Sequence, residues 1–131
     1  MKNITRVALI TSGGDCQGLN AAMRGIGKAL HNKIDNQGGT ILGTSRQRYI
    51  PGKDIVDENG NSLIPAMKDT YNRLNLDCLV IMGGNGTQKS AKLLMDAGMN
   101  VVTLPKTIDN DIWGTDTTFG FHSAVDISTN V

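Results

Sequence analysis

Leu79-Val80-Ile81-Met82-Gly83-Gly84-Asn85-Gly86-Thr87 decides the fold, because it passes from a short aliphatic run through a glycine-rich turn into a helix-compatible stretch. The helical pattern runs from Thr87 to about Ala97, with apolar residues at threes and fours, and Gly98 is placed to end it. A strand, a glycine turn and a helix in this order form a βα unit. The same grammar occurs upstream, where Val7-Ala8-Leu9-Ile10 leads through Thr11-Ser12-Gly13-Gly14-Asp15 into a helical pattern from about Asn20 to Leu30. A third run, Val101-Val102-Thr103-Leu104, enters Pro105-Lys106-Thr107-Ile108-Asp109-Asn110-Asp111. Near-continuous apolar strands of this kind suit a parallel sheet covered on both faces. Such sheets carry their ligand loops at the carboxyl ends of the strands. The predicted fold is therefore α/β, a three-layer, doubly wound, mostly parallel, Rossmann-like sheet with all three loops on one edge.

Between the first two units the pattern is weaker. A short strand is expected near Thr40 to Gly43, then a polar, turn-rich stretch from Pro51 to Asn61, then a helix of about Leu63 to Leu74. Asn61 or Ser62 is a candidate cap for that helix, and Pro65 is tolerable in its first turn. A last helix begins near His122. At 131 residues, with 39% hydrophobic and 19% charged, the chain suffices for one globular domain, taken as residues 1–131, and is too short for two. The net charge of +1 and the scattered Lys and Arg provide no basic stripe for nucleic acid or an anionic membrane. Any phosphate affinity must be local. The two cysteines, Cys16 and Cys78, in a chain that runs from Met1 into a strand-like stretch, point to a reducing cytoplasm without a disulfide. No apolar run approaches the ~20 residues needed to cross a bilayer.

The three loops carry the chemistry. Gly13-Gly14-Asp15-Cys16-Gln17-Gly18-Leu19-Asn20 places glycines where a strand turns sharply beside a helix start, so that backbone N–H groups are available to an anion. Gly83-Gly84-Asn85-Gly86-Thr87 repeats the arrangement, with Thr87 as a candidate cap for the following helix. In the third loop Asp109 and Asp111 lie two apart, Pro105 restricts the backbone, and Thr107 and Asn110 offer short polar groups to orient the carboxylates. One carboxylate suits proton removal from an attacking hydroxyl while the other steers a metal or a side chain. An Asx-rich turn with no chemistry is the competing reading of that segment taken alone.

ITSGGDCQGLNAAMRG (10–25), GGTILGTSR (38–46), LVIMGGNGTQKSA (79–91) and LPKTIDNDIWGTDTTFGFHSAVD (104–126), in this order, resemble the 6-phosphofructokinase family and cover about half of the chain. GGNGT alone also suits lipid or NAD kinases, but these lack a TIDND-like segment. The resemblance implies phosphoryl transfer from ATP, or from pyrophosphate in one branch, to the 1-hydroxyl of fructose 6-phosphate. It implies Mg²⁺ as cofactor and a cytoplasmic homo-oligomer, tetramer or dimer. Carried over by motif position, it makes Asp109 the general base, with Thr107 beside the transferring group and Asp111 in support. Gly13, Gly14, Gly83, Gly84, Asn85, Gly86 and Thr87 would line the donor phosphates, with Arg46 and Lys106 neutralising their charge. Gly86 matches the ATP-using pattern, since pyrophosphate users carry an obstructing Asp there. Lys106 is typical of pyrophosphate users, although some ATP-using lineages also have it.

The sequence departs from the family at three places. Asn85 stands where the family has the Asp that helps hold Mg²⁺, and a neutral amide is a poorer ligand for a hard cation. From Leu30 the chain passes through seven residues directly to Gly38-Gly39, where the family has a strand, a helix and an aromatic-bearing loop. A parallel crossover needs a dozen or more residues, so the sheet is expected to be incomplete relative to the family. The family's sugar-phosphate contacts come mostly from its later half, which has no counterpart in these residues; a catalytically incompetent phosphate-binding module is the alternative reading. Trp113 is read as packing, Met23, Met67, Met82, Met95 and Met99 as core, and His31 and His122 lack a second ligand at metal spacing.

Overall fold

A computed structural model of the chain describes residues 6–13, 19–30, 48–50 and 54–129. The element order is β1 (Val7–Thr11), α1 (Leu19–Leu30), β2 (Arg48–Ile50), β3 (Asp54–Val56), α2 (Ile64–Arg73), β4 (Cys78–Gly83), α3 (Asn85–Asp96), β5 (Val101–Pro105) and α4 (Phe121–Thr129). Gly14, Arg46 and the strand expected at Thr40 to Gly43 lie outside the described residues.

β4 is the spine of the fold. Its Cys-Leu-Val-Ile-Met-Gly run is buried at every position but Val80, as a strand covered on both faces requires. β1 and β5 flank it, both parallel, in the order β1-β4-β5. Alternation along β4 divides the core in two. Leu79 and Ile81 join Ile55, Ala91, Leu94, Met99 and Val101 on one face. Met82 meets Leu19, Ala22 and Met23 of α1 on the other. Helices on both faces of a parallel sheet give the three-layer α/β architecture expected.

α3 packs through Thr87, Ala91 and Leu94, a stripe at spacings of four and three. It ends where Gly98 adopts φ +88°, with Gly98 N–H donating to Met95 O and Met99 N–H to Leu94 O. That pair of bonds is a Schellman motif. Asn75, at φ +49°, closes α2 in the same way, its N–H bonding Asn72 O and that of Leu76 bonding Tyr71 O. Asn tolerates this left-handed conformation better than other residues with a Cβ.

Four expectations are corrected. The polar stretch read as turns contains β3, which pairs antiparallel with β2 as a short hairpin; burial of Ile55 and Val56 holds it, not β propensity across its whole length. α2 begins at Ile64 with Leu63 at its cap position and no side-chain cap bond. Asn61 caps nothing there; its amide bonds Asp57 instead, while Ser62 Oγ accepts from Ile64 N–H at a long 3.4 Å. Trp113 is 98% exposed, so it is not packing within these residues. Met95 is an exposed residue of α3, whereas Met23, Met82 and Met99 are core and Met67 packs against it. Cys78 is a buried free thiol.

Candidate phosphate-binding and acidic-loop site

The parallel register brings the three loops to one sheet edge. Thr11 lies opposite Met82, and Gly83 opposite Pro105. Ser12 N–H donates to Met82 O at 2.9 Å, and Lys106 N–H to Gly83 O at 3.0 Å. Gly13 then turns away at φ +89°, which a residue with a Cβ adopts only under strain.

α3 begins earlier than the sequence pattern suggested. Gly84, at φ −76° and ψ −168°, is its cap residue, and its carbonyl receives the first helical bond from Gln88 N–H at 3.0 Å. Asn85, Gly86 and Thr87 therefore form the first helical turn, whose N–H groups have no acceptor within the helix and point along the positive end of its dipole. Thr87 is not a cap. It lies at the third helical position, 8% exposed, and a Cβ built on Gly83 would fall inside 3.0 Å of its Oγ1, Cβ and Cγ2. Gly83 is thus required by close approach rather than by its dihedral angles. Gly86 has open space around it.

Lys106 is 4% exposed and reaches back across the strand ends. Its Nζ lies 3.9 Å from the point a Cβ on Gly13 would occupy, and Thr87 Oγ1 is equally close to that point. An ammonium, a threonine hydroxyl and two glycine turns converge there. Beyond Lys106 the third loop folds back on itself. Thr107 N–H donates to Phe119 O at 3.2 Å and Phe119 N–H to Pro105 O at 3.0 Å. The hydroxyl of Thr118, only 2% exposed, donates to Thr107 O at 2.7 Å. Within this closed loop Thr107 Oγ1 accepts from Asp109 N–H at 3.1 Å and lies 3.5 Å from Asp109 Oδ2. Asp109 and Asp111 are both exposed.

A cavity of about 940 Å³ joins these parts. Ser12, Gly13, Gly84, Thr87, Lys106 and Asp109 line its polar end, and Ile10, Ile81, Met67 and Tyr71 its apolar side. Among the candidate residues described, Gly83, Asn85 and Asp111 are absent from the lining. Two supporting groups were not singled out from sequence: Gln88, whose Nε2 donates to Gly83 O at 3.0 Å and Leu104 O at 3.3 Å, and Thr118. Neither has a local pattern signal, because both act on carbonyls of other elements. Among the described residues no group of three or more His, Cys, Asp or Glu is gathered to hold a metal ion, and no helix is long and apolar enough to cross a membrane.

A parallel α/β sheet with two glycine loops, a helix N-terminus and an acidic loop on one edge defines the class, a Rossmann-like domain suited to anionic ligands. A family model for phosphofructokinase matches residues 29–131, and the chain belongs to that family. The ATP-dependent 6-phosphofructokinase of Spirochaeta thermophila is 50% identical over 153 residues, covering 92% of this chain and 42% of that protein. The enzyme of the same description from Propionibacterium freudenreichii is 46% identical over 155 residues, covering 95% and 41%. Pichia pastoris phosphofructokinase in the T-state shares the fold with a TM-score of 0.66 at 24% identity, over 95% of this chain and 17% of that one. Saccharomyces cerevisiae phosphofructokinase gives 0.65 at 25%, over 96% and 24%. The chain spans about two fifths of the length of the two curated relatives. Both alignments to them are longer than its 131 residues, so these relatives carry residues inside the matched stretch that this chain lacks.

Proposed function

We propose that this chain is the single donor-binding domain of an ATP-dependent 6-phosphofructokinase, which passes the γ-phosphoryl group of ATP to the 1-hydroxyl of fructose 6-phosphate. The observation that carries the reading is the convergence of Gly13, the start of α3, Lys106 and Asp109 on one cavity in a member of this family. Gly13, Gly14, Gly83, Gly84, Asn85, Gly86 and Thr87 form the donor cradle, with Arg46 and Lys106 offsetting phosphate charge. The Asp109 carboxylate accepts the hydroxyl proton as the sugar oxygen bonds to the γ-phosphorus. The bond from that phosphorus to the bridging oxygen breaks, and ADP and fructose 1,6-bisphosphate leave. Thr107 holds Asp109 by its backbone and stands beside the transferring group; Asp111 supports the loop. Such transfer depends on positioning and charge compensation more than on covalent chemistry.

Magnesium fits these residues in part. Asn85 and the exposed carboxylates offer oxygen donors, but with no gathered cluster among the described residues the ion would be held mostly by donor phosphates and water. Bound there, it would neutralise phosphate charge. The relatives' description as ATP-dependent and the open space around Gly86 favour the nucleotide. A second reading, pyrophosphate as donor, is favoured by the buried Lys106 ammonium beside Gly13, which suits a compact polyphosphate equally. The family implies a cytoplasmic homo-oligomer. Coupled turnover of the intact protein on fructose 6-phosphate, with ATP and with pyrophosphate in parallel, tests the proposal. Turnover with ATP is expected; nucleotide binding by calorimetry without any turnover would leave a binding module in its place. The 131-residue chain by itself is expected to bind donor weakly without useful turnover, because ordering both reactants supplies ~7–11 kcal/mol of the barrier reduction.

A further inference from the structure

Asn110 is the residue at which the acidic loop reverses. It takes φ +52°, the left-handed region, between two carboxylates. Its side chain does not face either of them. Oδ1 accepts from Thr118 N–H at 2.9 Å and Nδ2 donates to Asp116 O at 3.2 Å. One amide thus closes a loop of nine residues, 110–118, with both of its functional ends. The Thr118 hydroxyl, buried and bonded to Thr107 O, fixes the far wall of the same loop to the strand end. Asp109 is therefore pinned from both sides: its own N–H is held by Thr107 Oγ1, and the next residue is held by the clasp.

We infer that Asn110 is a positioning residue whose side-chain clasp on Thr118 and Asp116 fixes the Asp109 carboxylate for proton removal. The inference rests on Asp109 acting as the base. Without the clasp the segment from 108 to 117 keeps the Asp109 N–H bond to Thr107 Oγ1 and the short Thr115–Thr117 bond, neither of which ties its middle across the loop, and the carboxylate samples positions away from the acceptor hydroxyl. Asn serves here for two reasons. It tolerates the left-handed backbone, and its amide supplies one acceptor and one donor in the same plane. Glycine meets the first requirement and not the second.

Asn110→Gly in the intact protein tests this, since glycine permits the left-handed backbone and cannot form the clasp. Turnover should fall by about 10- to 100-fold, the scale of an ~1 Å misplacement of a reacting group, while ATP affinity by calorimetry changes less than about twofold, because the glycine cradle lies on other loops and Lys106 is anchored to Gly83 ahead of the clasped segment. Thr118 N–H should lose protection from hydrogen exchange while the β4 amides keep theirs. Asp109→Asn serves as the reference. If Asp109→Asn is impaired and Asn110→Gly turns over like the parent, the clasp does not position the base. An equal fall in ATP affinity and turnover would also overturn it, by showing a general structural defect. If Asp109→Asn is itself unimpaired, the base assignment fails, and the exchange measurement still decides whether the clasp exists: unchanged protection of Thr118 N–H refutes it.

Discussion

Replacing Gly83 by Ala asks whether the second loop is held by close approach. The added methyl would stand inside 3.0 Å of three Thr87 side-chain atoms, Cβ among them. Thr87 is part of the first turn of α3 and buried, so it cannot swing aside as the tip of a flexible side chain does. Relief requires α3 to move off the sheet, which loosens Ala91 and Leu94 one and two turns along. Forcing one extra carbon into such a contact costs about 2–3 kcal/mol, the upper part of the overpacking range. With a denaturant slope of about 1.5 kcal/mol per molar, the urea midpoint should fall by about 1–2 M. The geometry also dictates how the cost is relieved. Thr87→Ala removes Oγ1 and Cγ2 but leaves Cβ in the way, so Gly83→Ala/Thr87→Ala should remain destabilised. Thr87→Gly removes all three atoms, and the Gly83→Ala/Thr87→Gly pair should recover part of the loss relative to the summed single effects, a favourable coupling. Equilibrium urea unfolding of the intact protein and its variants measures each corner of both cycles. A Gly83→Ala protein with an unchanged midpoint, or full rescue by Thr87→Ala, would refute the contact as the reason for glycine.

Asp109→Asn should lower kcat by at least the ~10²-fold typical of losing a positioned base, with a smaller change in donor affinity; coupled kinetics and calorimetry check both, and unchanged turnover removes Asp109 from that role. Hydrogen bonds from the Asn61 side chain, and then from the backbone N–H of Asn61, hold the Asp57 carboxyl below its ordinary value. A depressed folded pKa contributes stability above the unfolded value and loses it as pH falls through the folded one, so the stabilisation is present at neutral pH and its loss is confined to acid below about pH 4. Asn61→Ala should move Asp57 upward in an NMR carboxyl titration, and no movement would discard the interaction. Burial raises the Cys78 thiol; mass mapping after alkylation at neutral pH should find it unmodified in the folded protein and modified in urea.

The parallel sheet was legible because its strands are uninterrupted aliphatic runs, each ending in a turn that only a strand-to-helix junction explains. The common edge of the loops followed from that. The start of α3 was misplaced by two residues because Asn85 and Gly86 are poor helix formers in a helix interior. Within the first turn, where Gly84 caps, the same residues are tolerated and leave the backbone approachable. Thr87 has the composition of a cap, and nothing local says that its side chain is turned inward beneath Gly83. The β2–β3 hairpin was hidden for a related reason: strands of three residues carry no period, and Ile55 is held by α3 and the sheet. In the acidic loop the residue types gave the candidate carboxylates, but Asn110 was expected to orient them directly. It works instead on Thr118, eight residues away, a contact that only the closed loop creates.

The carbonyl of Gly83 receives both the Lys106 N–H and the Gln88 side chain, and Gln88 also holds the carbonyl of Leu104. The cradle at the start of α3 and the root of the acidic loop are therefore riveted at two points across neighbouring strands, Lys106 N–H to Gly83 O and Gln88 to Leu104 O. They cannot act as two jaws. If donor and acceptor are brought together by a closing movement, the hinge lies elsewhere in the protein. On the proposed assignment this edge would behave as an anvil: phosphate and base would keep a fixed spacing, and the acceptor would be the partner carried in.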